Sequence, residues 1–292
     1  MQDKFGGTGV ALVTPFRKDG SIDFRSYDIL IEKVIKGRVN YLVVLGTTGE
    51  AVTLSKEERL AVLEFVIEVN NKRLPIVVGA GGYNTQEVIN FLREFHLDDI
   101  DGILSVTPYY NKPSQEGLYM HYKAIADASP LPVILYNVPG RTSVNLTADT
   151  TLRLARDFRN IVGIKEASGN VQQCMDIIRD KPRNFVVLSG DDALTLPLIA
   201  CGMDGVISVV ANAFPRNFSR MVRNALDGDF DKAKKLHYKL LDVIELLFVE
   251  GNPAGIKAAL RAMEITSDKL RLPLVNVSRS TYNRIAEEIT KF

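Results

Sequence analysis

Eight short apolar runs punctuate this chain at nearly even intervals: Val10–Val13, Tyr41–Leu45, Pro75–Val78, Gly102–Val106, Pro132–Leu135, Ile161–Ile164, Phe185–Leu188 and Gly205–Val210. They are almost continuous rather than alternating, which is how strands covered on both faces read. With Thr14, Gly46, Gly79, Thr107, Tyr136, Lys165, Gly190 and Ala211 as strand ends, successive spacings are 32, 33, 28, 29, 29, 25 and 21 residues. Each interval has room for one helix and two short loops, the βα repeat of a parallel sheet. The intervening segments carry helical periodicity. Phe24, Tyr27, Leu30, Ile31 and Val34 form one stripe; Val88, Phe91, Leu92 and Phe95 a second; Phe218, Met221, Val222 and Ala225 a third. Ser55 followed by Glu58 reads as a capping box, and Pro215 suits a first helical turn.

Eight such units predict a closed (β/α)8 barrel. An open doubly wound sheet is the alternative, and it would need a phosphate-binding glycine turn or another ligand crevice at its switch point. Average domain size suggests two domains for 292 residues. The units end near Leu226, however, and the remainder reads as three helices over Phe230–Val249, Pro253–Met263 and Ser278–Ile289. Residues 1–226 are therefore expected to form the barrel, and 227–292 a helical extension packed on it.

Charge and hydropathy exclude several classes. Lys and Arg number 36 against 35 Asp and Glu, so the net charge is 36 − 35 = +1. Without a basic excess or cluster, neither a nucleic-acid partner nor a polybasic membrane contact is expected. No apolar run reaches the roughly 18 residues of a transmembrane helix. The first residues lack the apolar core of a signal peptide, and a cytoplasmic location is expected. Cys174 and Cys201 lie in apolar surroundings without CxxC spacing and read as buried, reduced thiols.

Barrel enzymes carry their chemistry at the C-terminal ends of the strands. Those positions hold Thr14, Thr47, Thr48, Glu50, Tyr109, Tyr110, Tyr136, Asn137, Arg141, Lys165, Glu166, Asp191, Asp192 and Asn212. Lys165 is the odd one, because it directly follows a run expected to be buried. A lysine there must snorkel, pair with a carboxylate such as Glu166, or accept a lowered pKa. In the last case the neutral amine can form a Schiff base with a carbonyl substrate. Tyr136 and neighbouring Thr hydroxyls can relay protons. Gly46-Thr-Thr-Gly49 offers N–H groups and hydroxyls to a small carboxylate, and Arg141 a forked donor for a second. Other chemistries fail on inventory. His96, His121 and His237 are scattered, so no metal is expected. There is no GxSxG elbow, and the turn Gly79–Asn84 reads as a tight loop, so no cofactor is expected either.

These residues sit in motifs that resemble the dihydrodipicolinate synthase (4-hydroxy-tetrahydrodipicolinate synthase) family of pyruvate-dependent class I aldolases, over essentially the whole chain. The motifs are Gly9-Val-Ala-Leu-Val-Thr-Pro15, Gly46-Thr-Thr-Gly-Glu50, Val106-Thr-Pro-Tyr-Tyr-Asn111, Pro113-Ser-Gln-Glu-Gly117, Leu135-Tyr-Asn-Val-Pro-Gly-Arg-Thr142, Gly163-Ile-Lys-Glu-Ala167, Ser189-Gly-Asp191 and Gly205-Val-Ile-Ser208. The resemblance implies that Lys165 condenses with pyruvate and that Tyr136 gives and takes protons. It implies Thr47 and Tyr110 as relay partners, with Tyr110 reaching across a dimer interface into the neighbouring site. Thr48, Gly190 and the main chain at Ile207 would bind substrate, and Arg141 would anchor the carboxylate of L-aspartate 4-semialdehyde. The implied product is 4-hydroxy-tetrahydrodipicolinate, the first committed step of diaminopimelate and lysine biosynthesis, made by a homotetramer of two tight dimers. Related lyases that cleave N-acetylneuraminate or 2-keto-3-deoxy sugar acids use the same lysine imine; the Thr47-Thr48 pair and Arg141 favour the synthase. One departure concerns regulation. Lys56, Arg59 and Tyr83 stand where lysine-inhibited relatives tend to carry His or Glu and Asn, although Glu87 and Tyr109 remain. Added positive charge should weaken a site for a cationic amino acid, so weak or absent feedback inhibition is expected.

Overall fold

Successive side chains on a strand face opposite ways, and here both faces are apolar. In the strand Tyr41–Val44, Tyr41 and Val43 enter one cluster while Leu42 and Val44 enter another. The computed structural model, which describes residues 2–94 and 99–292, explains why. Eight strands pair in parallel and in sequence order: β1 Gly7–Ala11, β2 Tyr41–Val44, β3 Ile76–Gly79, β4 Gly102–Val106, β5 Val133–Asn137, β6 Ile161–Glu166, β7 Val186–Ser189 and β8 Gly205–Ser208. β8 pairs back onto β1 and closes the barrel, so the smaller cluster is the barrel interior and the larger one lies between sheet and helices. This is the (β/α)8 TIM-barrel architecture that the spacing predicts. Phe95 and His96 lie outside the described residues.

The first strand differs from expectation. It runs over Gly7–Ala11, not over the apolar run Val10–Val13. A Cβ on Gly9 would come within 2.2 Å of the Tyr41 ring, so glycine there lets a tyrosine fill the barrel. Tyr41 meets Phe5 edge to face, with centroids 6.2 Å apart. Reading hydropathy alone finds this strand but places it about three residues late, because its inward positions are glycines. Val13, beyond the strand, gives its N–H to the Asn212 side chain at 3.2 Å instead of to a ladder partner.

The helices begin where their caps place them. Ser55 and Glu58 bond reciprocally at the head of helix Lys56–Asn70, and Pro215 opens helix Pro215–Leu226. Phe218, Met221, Val222 and Ala225 are all buried, as their stripe predicts. Beyond Leu226 come helices Phe230–Phe248, Ala254–Ala262 and Arg279–Ile289, which join the outer apolar layer through Leu240, Leu247, Ile256, Leu260 and Ile285. Cys174 is buried, but Cys201 is exposed, contrary to expectation. It is the residue just past the short helix Thr195–Ala200, where the chain has already turned toward solvent. Among the described residues no helix is long and apolar enough to cross a membrane, and no group of three or more His, Cys, Asp or Glu can hold a metal.

Candidate active site

Register brings the reactive pair together. Tyr136 on β5 lies opposite Lys165 on β6, and Tyr136 belongs to the interior cluster. Lys165 is 5% exposed and Tyr136 7%; the lysine Nζ stands 4.4 Å from the centre of the tyrosine ring. The barrel wall leaves space for this side chain at Gly190, where a Cβ would come within 2.9 Å of Lys165 Cε. Among the described residues Lys165 joins no ion pair, unlike the well-covered Lys181 and Lys257. The pairing with Glu166 does not form, because that carboxylate is fully engaged elsewhere. It accepts from the Asn137 amide at 2.9 Å, the Gln173 amide at 2.9 Å and the Ser168 N–H at 2.7 Å.

The turn after β2 carries Thr47 and Thr48 in a single 3-10 turn, Thr47–Gly49. Thr47 is exposed and Thr48 buried. From the barrel side, the Thr14 hydroxyl donates to the Gly49 carbonyl at 2.7 Å. The other anchors come from the C-terminal extension. Lys257, fully buried, pairs with the buried Glu50 carboxylate and donates to the Lys269 carbonyl at 2.9 Å. The Arg271 N–H donates to the same carboxylate at 3.1 Å. Burial lowers the Lys257 pKa, and the Glu50 carboxylate opposes that shift. Arg271 also grips Glu58 in bidentate fashion, with Nη1 2.6 Å from Oε2, and holds that carboxyl down to about 2.

A cavity of about 650 Å³ opens at this end of the barrel. Its lining includes Thr47, Tyr136, Val138 and Arg141, together with Arg59, Tyr83, Glu87 and Tyr109. Lys56 does not line it; its ammonium pairs with Glu94 at 2.5 Å. Lys165, Thr48 and Ile207 are buried and lie outside the lining, Ile207 in the interior cluster with Tyr136. Tyr110 stands apart, 88% exposed in a left-handed conformation with φ 69°.

Other strand-end candidates hold the frame. Asn212 accepts from Val13 and donates to the carbonyls of Ala11 and Val209, stitching β1 to the segment after β8. Asp191 accepts the N–H groups of Ala193 and Leu194. Asp192 accepts those of Val209 and Val210, and burial pushes its carboxyl up to about 6. Reading the sequence missed Asn252. Its Nδ2 donates to Thr48 Oγ1 at 3.0 Å, and its main-chain carbonyl accepts from Arg141 Nη2 at 3.1 Å. It also missed Lys257, although a lysine inside the buried run Ala254–Leu260 is the same signal that marked Lys165.

Comparison with known proteins shows the family. The model of the Dihydrodipicolinate synthetase family matches residues 4–292. The chain is 53% identical over 281 residues to the 4-hydroxy-tetrahydrodipicolinate synthase of Parabacteroides distasonis, covering 96% of this chain and 95% of that protein. The solved chloride-inhibited dihydrodipicolinate synthase of Acinetobacter baumannii, complexed with pyruvate, is 44% identical with a TM-score of 0.95 and 98% coverage of both chains. The enzyme of Cyanidioschyzon merolae, solved with lysine bound, is 38% identical with a TM-score of 0.94, covering 98% of this chain and 97% of that one. This chain belongs to the dihydrodipicolinate synthetase family.

Proposed function

We propose that this protein is a 4-hydroxy-tetrahydrodipicolinate synthase, a lyase of the class I aldolase type that condenses pyruvate with L-aspartate 4-semialdehyde. The observation that carries the reading is Lys165: buried, in no ion pair among the described residues, and against the ring of Tyr136. Its amine attacks the pyruvate ketone, water leaves, and an imine forms. Loss of a methyl proton gives the enamine, whose carbon adds to the aldehyde and makes the new C–C bond. The substrate's own amine then attacks the imine carbon, closes the ring and expels Lys165. Tyr136 moves the protons at each stage, with Thr47 as relay partner lining the same cavity.

Thr48, Gly190 and the main chain at Ile207 are assigned to pyruvate, and Arg141 to the carboxylate of the aldehyde substrate. Tyr110, exposed and outside its own cavity, is assigned to the relay of a neighbouring copy in a tetramer of two dimers. A cytoplasmic, biosynthetic role is part of this reading; among the described residues no helix is long and apolar enough to cross a membrane. Arg59 on the shared cavity wall argues for weak feedback by lysine, and inhibition at micromolar lysine would contradict that. A substrate panel tests the whole reading. Purified protein should turn over pyruvate with L-aspartate 4-semialdehyde; cleavage of sialic or 2-keto-3-deoxy acids instead would make it a sugar-acid lyase.

A further inference from the structure

We infer that Asn252, in the C-terminal extension, is a positioning residue for the keto-acid subsite, acting through the Thr48 hydroxyl. The inference rests on the proposed function, and it comes from how one residue is divided between two others. The side-chain amide reaches Thr48 Oγ1 at 3.0 Å across 204 positions of sequence. The main-chain carbonyl takes Arg141 Nη2 at 3.1 Å. Asn252 is 8% exposed, and its Oδ1 is buried without a partner among the described residues. An orphaned buried acceptor costs stability, so the amide is a poor device for folding alone. The one hydrogen bond the amide makes among the described residues fixes the rotor of a buried threonine in the turn assigned to pyruvate. A hydroxyl that is already oriented does not lose that freedom when substrate binds.

The division of labour makes the two substrates respond differently. Removing the side chain frees Thr48 but keeps the carbonyl that holds Arg141. Asn252→Ala should therefore raise KM for pyruvate about 3- to 10-fold, the effect of one neutral hydrogen bond. KM for L-aspartate 4-semialdehyde and kcat at saturation should change little. Asn252→Asp, which replaces the donor to Thr48 Oγ1 with an acceptor and sets a carboxylate beside the keto-acid subsite, should not restore the pyruvate KM. Because Asn252 works through Thr48, Asn252→Ala should add nothing to the pyruvate KM of Thr48→Val.

Full-length parent and variants are assayed side by side, with circular dichroism checking the fold. An unchanged pyruvate KM in Asn252→Ala, equal rises for both substrates, or additive effects with Thr48→Val would overturn the inference. If Asn252→Ala does not fold, Asn252→Ser is read by the same criterion. Failure of the parent itself to turn over pyruvate and the semialdehyde would instead overturn the proposed function, so the two failures are separate.

Discussion

Among the described residues two lysines are buried, Lys165 and Lys257, and they are used in opposite ways. Each follows or interrupts an apolar run, and each lies over an aromatic ring, with Nζ 4.4 Å from the centre of Tyr136 and 4.2 Å from that of Phe16. Lys257 is matched: the Glu50 carboxylate and the Lys269 carbonyl take its hydrogens. Lys165 has no carboxylate partner among the described residues, because its neighbour Glu166 faces the other way along the strand and is occupied by amide donors. A buried lysine that is paired fastens two parts of a chain; one that is unpaired keeps its amine for chemistry. Burial marks both residues, and only their surroundings separate them.

That contrast can be broken most severely at Lys165. Lys165→Ala should abolish turnover, a loss of about 10³-fold or more, while its melting temperature stays near that of the parent. Steady-state kinetics with thermal unfolding checks both halves. Tyr136→Phe keeps the ring against Lys165 and removes only the hydroxyl, so kcat should fall by about 10²- to 10⁴-fold. Lys257→Met should behave in the reverse sense. Stranding the buried Glu50 carboxylate costs about 3–5 kcal/mol, which lowers the melting temperature by roughly 10 °C. Parent-like stability in Lys257→Met would mean that the pair does not fasten the turn.

The smallest effect belongs to the outer clamp, Glu58 with Arg271. Arg271 holds the Glu58 carboxyl below its ordinary value, down to about 2. A depressed folded pKa gives stability that is fully present above the unfolded value near 4.5 and is lost as pH falls toward 2. Urea unfolding between these limits should therefore be less pH-dependent in Glu58→Gln than in the parent. His121 adds to the acid side: burial lowers its pKa to about 4, so its contribution fades as pH drops below 6.5.

The barrel was legible because each strand is a short apolar run and each interval fits one helix; the start of β1 was not, because glycines at its inward positions carry no hydropathy signal. Within the site, Lys165 and Tyr136 could be read from strand ends, since register sets them opposite each other, and Thr47 from the turn after β2. Asn252 could not be read in this way. Its partner Thr48 lies 204 residues away, and only the packing of the extension against the barrel brings them together. The extension, expected as a mere appendage, contributes Asn252, Lys257 and Arg271 to the turn that carries Thr47 and Thr48.

The most direct test is chemical trapping at Lys165. Full-length protein is incubated with pyruvate and borohydride and then weighed intact. The unpaired lysine should gain the mass of pyruvate less one water plus two hydrogens, peptide mapping should place it on Lys165, and Lys165→Ala should gain nothing. No adduct on the parent, or an adduct on Lys257 instead, would contradict the distinction between the two buried lysines.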